Sequence, residues 1–430
     1  MGSIIFKILF FSNAIVALVH PWIGVIAVYT IGILTPQNIW WWHFVNGRPY
    51  YWTAIPLIFG YIFAVLRNKV TYTYLNSPLF FASIIMFLTM LLSYYFGEYT
   101  KVFNEYHFFD VDFVFIKFIK IFLIFFISVC LIDSIKKAKY LSFVLVLSTC
   151  YLIYWANLQY LSGKVLGRLH GPVGLGISIY NDENIFAMLF VVGIPFVFYF
   201  GSSLSRWYVK YCLWLFIPFG WHAIFLTGSR GGLIALMVTT AIVAARLNNR
   251  WLKIALIPAL LIAFLWQGGS IMKQRSHTIT QYERDQSAIE RIEAWSAAIK
   301  MVAKHPITGV GLASMGQAYP FFSSYPDVRI AHNTFLQLCA ENGIFSGFSY
   351  LFIIFYSILR LWNGSFSSLG NSSSDVLVLY YLNEALLTSI IGFFVCSIFL
   401  SLQEYEIFYF LIILSNFVIM QKVHKRSKRN

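Results

Sequence analysis

The sequence has 430 residues, of which 59% are hydrophobic, 19% are aromatic and only 11% are charged. Ordinary soluble domains carry about 25% charged residues, so this composition excludes a soluble protein and predicts an all-α polytopic membrane protein surrounded by membrane lipids. The net charge of +14 does not indicate a nucleic-acid partner, because most basic residues lie in short loops between apolar segments. That distribution is the positive-inside pattern of membrane proteins.

Apolar segments long enough to cross a bilayer follow one another along the chain. Residues 4–34 are interrupted at His20-Pro21 and predict either one bent crossing or a hairpin of two short segments. An aromatic loop at 40–52 is typical of the headgroup region. Further spans are predicted at about 53–66, 79–96, 113–132, 140–157, 185–200, 211–227, 232–246, 251–266, 334–360, 377–400 and 405–421. If the N-terminal region crosses once overall, the chain has roughly 12 transmembrane helices and both termini are cytoplasmic.

The polar and basic segments divide the chain into regions. Four regions are predicted: an N-terminal transmembrane bundle at 1–266, a large polar loop with amphipathic helices at 267–331, C-terminal transmembrane helices at 332–421, and a basic cytoplasmic tail at 422–430. Placing the basic loops in the cytoplasm puts the large loop on the extracytoplasmic side, together with 158–183 and the turn at 228–231. The five cysteines lie in apolar runs without metal-type spacing, so neither zinc nor disulfides are indicated.

A turn with the sequence Thr-Gly-Ser-Arg-Gly-Gly connects two spans at 227–232. Arg230 and its glycine neighbours can bring a guanidinium group and backbone amides onto one anion, and the guanidinium fork matches phosphate oxygens. Ser229 is a candidate ligand of the same anion. The alternative is that Arg230 only snorkels to the membrane interface while the glycines form a tight turn.

An amphipathic helix is predicted within the large loop, at 283–304. Its apolar residues recur at helical spacing and predict a single stripe, formed by Ile292, Trp295, Ile299 and Val302. Arg284 and Arg291 share another face, from which Arg291 can reach a cavity between the helix and the bundle. The alternative is an interfacial helix whose arginines contact lipid headgroups.

His332 lies where the large loop re-enters the membrane. A histidine can act as a general base toward a hydroxyl group, because its unperturbed pKa lies close to neutral pH. Asn333 is a candidate substrate ligand beside it. The structural alternative is that Asn333 and Thr334 cap the helix that begins there.

Acidic and basic residues also border the span that begins near residue 183, on the same predicted side. Asp182 needs a partner at the membrane boundary, so it either caps a helix, pairs with an arginine or binds substrate. Lys164 and Arg168 in the preceding loop add positive charge and are further candidate ligands.

Four of these elements together resemble the O-antigen ligase/polymerase superfamily in their order and spacing across about 180–350. They are the turn at 227–232, Arg291-x-x-x-Trp295, His305-Pro-x-x-Gly-x-Gly311 and Ala331-His332-Asn333. The resemblance implies a GT-C-like glycosyltransferase of the bacterial inner membrane with its active site facing the periplasm. It implies transfer of a glycan from undecaprenyl diphosphate to a lipid A-core hydroxyl, without a metal or other cofactor.

The resemblance also implies residue roles. Arg230 and Arg291 would hold the diphosphate, and His332 would activate the acceptor hydroxyl, with inversion at the anomeric carbon. An O-antigen polymerase and a protein O-oligosaccharyltransferase are enzyme alternatives that use the same donor. A polysaccharide-lipid transporter is the non-enzyme alternative, and it predicts internal repeats or charged groups near the middle of several spans. No convincing repeat is evident, and the arginine and histidine elements cluster at one side, which disfavours transport.

Overall fold

A computed structural model of the protein describes residues 2–45, 47–102, 110–165, 167–174, 178–247, 249–269, 272–273, 286–325, 327–363 and 374–427. Every regular element in these ranges is a helix, which confirms the predicted all-α membrane architecture. Ten of the described helices are long and apolar enough to cross a membrane, and two shorter apolar helices lie at the N-terminus. The total of roughly 12 crossings stays a prediction.

The first part of the chain forms α1 (Gly2–Val19), α2 (Pro21–Leu34), the short α3 (Pro36–Ile39), α4 (Pro49–Leu66), α5 (Pro78–Phe96), α6 (Val111–Leu131) and α7 (Ile135–Leu161). The middle part forms α8 (Glu183–Ser202), α9 (Trp207–Thr227), α10 (Arg230–Arg246) and α11 (Arg250–Gln267). The last part forms α12 (Gln286–Lys304), the short α13 (Met315–Ala318), α14 (Thr334–Asn342), α15 (Ile344–Trp362), α16 (Ser374–Ser397) and α17 (Glu406–Ser427). Several helices begin with a proline or with a capping Ser, Asp or Asn side chain, as helix starts commonly do.

The first two helices form a hairpin. The ring of Phe6, near the start of α1, lies 5.5 Å from Trp40 and 5.2 Å from Phe44, which both follow the end of α2. Pro21 lacks the N–H that a continuing helix needs, so the chain turns back after His20. Of the two alternatives for 4–34, the structure shows the hairpin. How often this segment crosses the membrane, and with it the placement of both termini in the cytoplasm, stays a prediction.

The centre of the bundle is α8, which is buried along nearly its whole length and packs against α7, α9, α10 and α16. Small residues allow these helices to approach closely. A Cβ on Gly392 of α16 would lie 2.6 Å from Thr239 of α10 and 2.9 Å from Val191 of α8. The start of α8, which carries Asp182 as its cap, is consequently held rigidly against the bundle.

The large loop has a small core of its own at one end of the bundle, here called the loop face. Its buried residues come mainly from α12, α13 and the ends of α14, including Ala294, Ala297, Ala298, Met301, Met315 and Ala340. Trp295 and Val302 pack against this core, whereas Ile292 and Ile299 are 53% and 58% exposed. The predicted stripe therefore meets the loop core only through Trp295 and Val302, because the helix turns its small alanines toward that core. Residues 283–285 of the predicted helix lie outside the described residues.

The predicted span at 334–360 is two helices, because the chain breaks at Gly343, whose φ is 82°. The turn at 305–311 packs against this break. The amide of Val310 donates to Ala340 O at 2.8 Å, and the amide of Ile344 donates to Pro306 O at 2.9 Å. A Cβ on Gly309, where φ is 67°, would collide with the backbone of Glu341, so this position requires glycine. The His-Pro-x-x-Gly-x-Gly element thus joins the large loop to the bundle.

Candidate functional site

The turn between α9 and α10 places Arg230 at a helix N-terminus. Gly228 ends α9 with a φ of 61°, a left-handed conformation that costs glycine little. Ser229 is 1% exposed, and its Oγ accepts a hydrogen bond from Gly232 N at 3.1 Å, which caps α10. Arg230 is half-buried in the first turn, where its guanidinium and the helix dipole both favour an anion.

Arg168 ties the loop before α8 to this turn. Its Nε donates to Thr227 O at 2.8 Å, its Nη2 donates to Asn184 Oδ1 at 3.0 Å, and its Nη1 lies 3.3 Å from a carboxylate oxygen of Glu183. Arg168 thus connects the start of α8 to the turn that precedes Arg230. Its role as a substrate ligand stays a prediction. Lys164, at the other end of the loop, is exposed.

Asp182 connects this region to the predicted base. Its Oδ1 accepts from the backbone amides of Asn184 at 2.7 Å and Ile185 at 3.1 Å, so capping is the role that the structure shows. Its carboxylate is also close enough to His332 to raise the pKa of that imidazole. The first turn of α8 and the end of the large loop therefore meet at one place on the loop face.

His332 is half-buried in the turn before α14, and its backbone φ is 45°. Burial lowers the pKa of its imidazole below the ordinary value of 6.5, and the nearby Arg291 guanidinium lowers the pKa further. The negative charge of Asp182 opposes both effects. Because the net shift is downward, the imidazole is neutral at pH 7 and able to accept a proton.

A second ion pair near His332 contains Arg329, which the sequence offers as a further basic candidate without ranking it. Arg329 Nη2 lies 3.1 Å from Glu290 Oε1 on α12 and 3.6 Å from Asp327 Oδ2. Arg329 lowers the pKa of His332 and Glu290 raises it. The spacing of three residues to His332 was the available signal, but only the fold shows that the side chain reaches the site.

The loop between α16 and α17 contacts both the turn that carries Arg230 and the turn that carries His332. Sequence reasoning did not identify this loop as part of the site. A Cβ on Gly231 would lie 3.1 Å from the ring of Phe399. Thr334 Oγ1 donates to Leu400 O at 2.7 Å and accepts from Leu402 N at 3.0 Å. The turns that carry Arg230 and His332 consequently rest on the same short segment.

The remaining predicted site residues have clear positions. Asn333 caps α14 by accepting from Leu336 N at 3.0 Å, so the structural alternative is realised and its role as a ligand stays a prediction. Arg291 is half-buried on α12 and reaches the surroundings of His332, whereas Arg284 lies outside the described residues.

Within the described part of the chain, no three His, Cys, Asp or Glu side chains form a group that could hold a metal ion.

Behind the histidine turn lies a buried carboxyl group, Glu341, near the end of α14. Its side chain is 4% exposed, and its Oε1 accepts from Gln337 Nε2 at 2.5 Å. Burial raises the pKa of Glu341 to about 8, and the bond from Gln337 only partly offsets this. At neutral pH the group is therefore mostly protonated.

Replacing Glu341 by glutamine is expected to raise thermal stability, and by more at pH 8 than at pH 5. The raised pKa means that the folded protein keeps this proton up to about pH 8, whereas the unfolded chain loses it near its ordinary value of 4.5. Glutamate therefore costs increasing stability across that interval, and glutamine does not. Melting temperatures in detergent at both pH values test this, with the exposed Asp375→Asn as the control. An equal gain at pH 5 and pH 8 would contradict it.

Residues 212–352 match a protein-family model that is described as O-antigen ligase. The matched segment contains Arg230, Arg291 and His332, together with the turn at 305–311 and helix α14. Arg168 and Asp182 lie before it. No curated protein matches the sequence.

Proposed function

We propose that this chain, whose residues 212–352 match the O-antigen ligase family model, transfers a glycan from undecaprenyl diphosphate to a hydroxyl group of lipid A-core. The reaction takes place at the periplasmic face of the bacterial inner membrane. The observation that carries this proposal is that Arg291 and Asp182 both act on the pKa of a neutral His332, while the turns of Arg230 and His332 contact the same segment after α16. This supports a site with cationic groups for a diphosphate and a base for a hydroxyl.

The arginines act on the donor. As the glycosidic bond breaks, negative charge grows on the departing diphosphate, so fixed guanidinium groups stabilise the transition state more than the ground state. Arg230 stands in the first turn of α10, where the helix dipole adds to its effect. Arg291 comes from α12 of the large loop and lies close enough to His332 to lower the pKa of its imidazole.

His332 acts on the acceptor. Its neutral imidazole takes the proton of the acceptor hydroxyl while that oxygen forms a bond to the anomeric carbon. The bond from this carbon to the diphosphate oxygen breaks, and the electron pair leaves with undecaprenyl diphosphate. Attack from the face opposite the diphosphate inverts the anomeric configuration. The proton is then released from the imidazole to solvent.

The acid side of the pH–rate profile should respond to the charges around His332. Asp182→Asn removes a charge that raises the pKa of His332, so the midpoint of the acid limb of the profile should move to lower pH than in the wild type. Arg329→Gln removes a charge that lowers this pKa, so the midpoint of the acid limb should move to higher pH than in the wild type. Asparagine still caps α8, which protects the fold. Initial rates from pH 5 to pH 8 test this, and a shift in the same direction for both variants would contradict it.

The identity of the acceptor is tested with purified protein in detergent. Undecaprenyl-diphosphate-linked glycan is offered either with lipid A-core or alone, in the presence of EDTA. The proposal expects glycan on lipid A-core and no lengthened donor. Lengthened donor without core product would instead identify a polymerase. Absence of both products, with donor binding intact, would contradict transfer to either acceptor.

A further inference from the structure

The peptide groups before His332 are held from both sides. Trp295 Nε1 on α12 donates to Ala331 O at 2.8 Å, and Ala331 N donates to Gln337 Oε1 on α14 at 2.9 Å. Ala331 itself is fully buried. Side chains from two helices thus form hydrogen bonds with the residue that precedes the histidine.

The backbone of His332 needs such support. Its φ of 45° lies in the left-handed region, which side chains with a Cβ adopt infrequently. A conformation of this kind persists where the surroundings determine it. The hydrogen bonds to Ala331 supply that constraint, because they fix the backbone immediately before His332.

The orientation of the Gln337 amide follows from its partners. A backbone N–H can only donate, so the side-chain oxygen must face Ala331, and it also accepts from Ser401 Oγ at 3.3 Å. The amide nitrogen is then directed at Glu341 Oε1, which accepts from it at 2.5 Å. Gln337 and Glu341 are 2% and 4% exposed, so water does not compete for these bonds.

We propose that Gln337 and Trp295 are positioning residues, which fix the backbone before His332 through their bonds to Ala331 and thereby set the position of its imidazole. This inference rests on the proposed function, in which His332 is the base. Glu341 acts one step further back, because it orients the Gln337 amide. A fully bonded polar network inside the loop core thereby sets the geometry of the transfer step.

The test uses two variants. Trp295→Phe removes one N–H and keeps most of the ring. Gln337→Met removes the hydrogen bonds of the amide oxygen and of the amide nitrogen at similar side-chain volume. In each variant kcat should fall about 10- to 100-fold with little change in the KM for donor, because the base is misplaced while the arginines are not. Trp266→Phe, at an exposed tryptophan of α11, is the matched control and should leave kcat unchanged. If Gln337→Met does not fold, Trp295→Phe alone carries the test, because it removes one N–H and leaves the Gln337 bonds in place.

A second measurement does not depend on transfer. The rate at which diethyl pyrocarbonate modifies His332, followed by mass spectrometry, should rise in both variants and stay at the wild-type value in Trp266→Phe. Unchanged kcat and unchanged modification in both folded variants would overturn the positioning role. Faster modification in a protein whose wild type transfers nothing would keep the positioning role and reject the proposed function.

Discussion

Replacing His332 by alanine is expected to lower the rate of glycan transfer by about 10²- to 10⁴-fold, because the acceptor hydroxyl loses its proton acceptor. Donor binding should remain close to normal, since Arg230 and Arg291 are retained. The half-buried imidazole has a pKa lowered by burial and by Arg291, so it is present in the neutral form that this step needs. Single-turnover rates and donor affinity, measured on the same preparation, separate the two effects.

The matched control for this variant is His424→Ala, at the far end of α17. It should transfer at the wild-type rate. Full transfer by the His332→Ala variant would remove the general base from the mechanism and leave the arginines as its only support.

Changing Arg230 or Arg291 to lysine is expected to lower the rate by about 10²- to 10³-fold, although the positive charge is retained. Lysine presents a point charge, whereas arginine presents a planar fork that can bind two oxygens of one diphosphate. Both side chains are half-buried, Arg230 at the start of α10 and Arg291 on α12, so a different head-group geometry is poorly tolerated. Single-turnover transfer at saturating donor measures the effect.

Arg250→Lys, at the start of α11, is the control for the charge-preserving change, and it should behave as wild type. A scaffold or docking protein predicts a different pattern, in which all three lysine variants retain their function. Wild-type transfer by both site variants would therefore exclude bidentate diphosphate contacts.

The elements that carry the candidate site could be predicted because their signals are local in the sequence. Apolar runs mark the spans, and Thr-Gly-Ser-Arg-Gly-Gly marks a turn that the structure shows as a left-handed glycine followed by a serine cap. Arg291 and His332 stand in short elements with recognisable neighbours, and the structure brings them within electrostatic reach of one another.

The rest could not be predicted because it depends on packing between distant segments. The exposure of Ile292 and Ile299 follows from the alanines that α12 turns to the loop core. Phe399 contacts the Arg230 turn only because α16 and α17 bring their connecting loop to the same end of the bundle. The role of Gln337 depends on a backbone amide six residues earlier, in a turn whose conformation no sequence pattern reveals.

The most direct test of transfer at this site is a single-turnover reaction with a donor labelled in both glycan and polyprenyl parts. The account predicts that labelled lipid A-core product and free undecaprenyl diphosphate appear together in equal amounts. Both should be lost together in the His332→Ala and Arg291→Lys variants. Release of undecaprenyl diphosphate without glycosylated acceptor, or intact donor moved across a bilayer without cleavage, would contradict it.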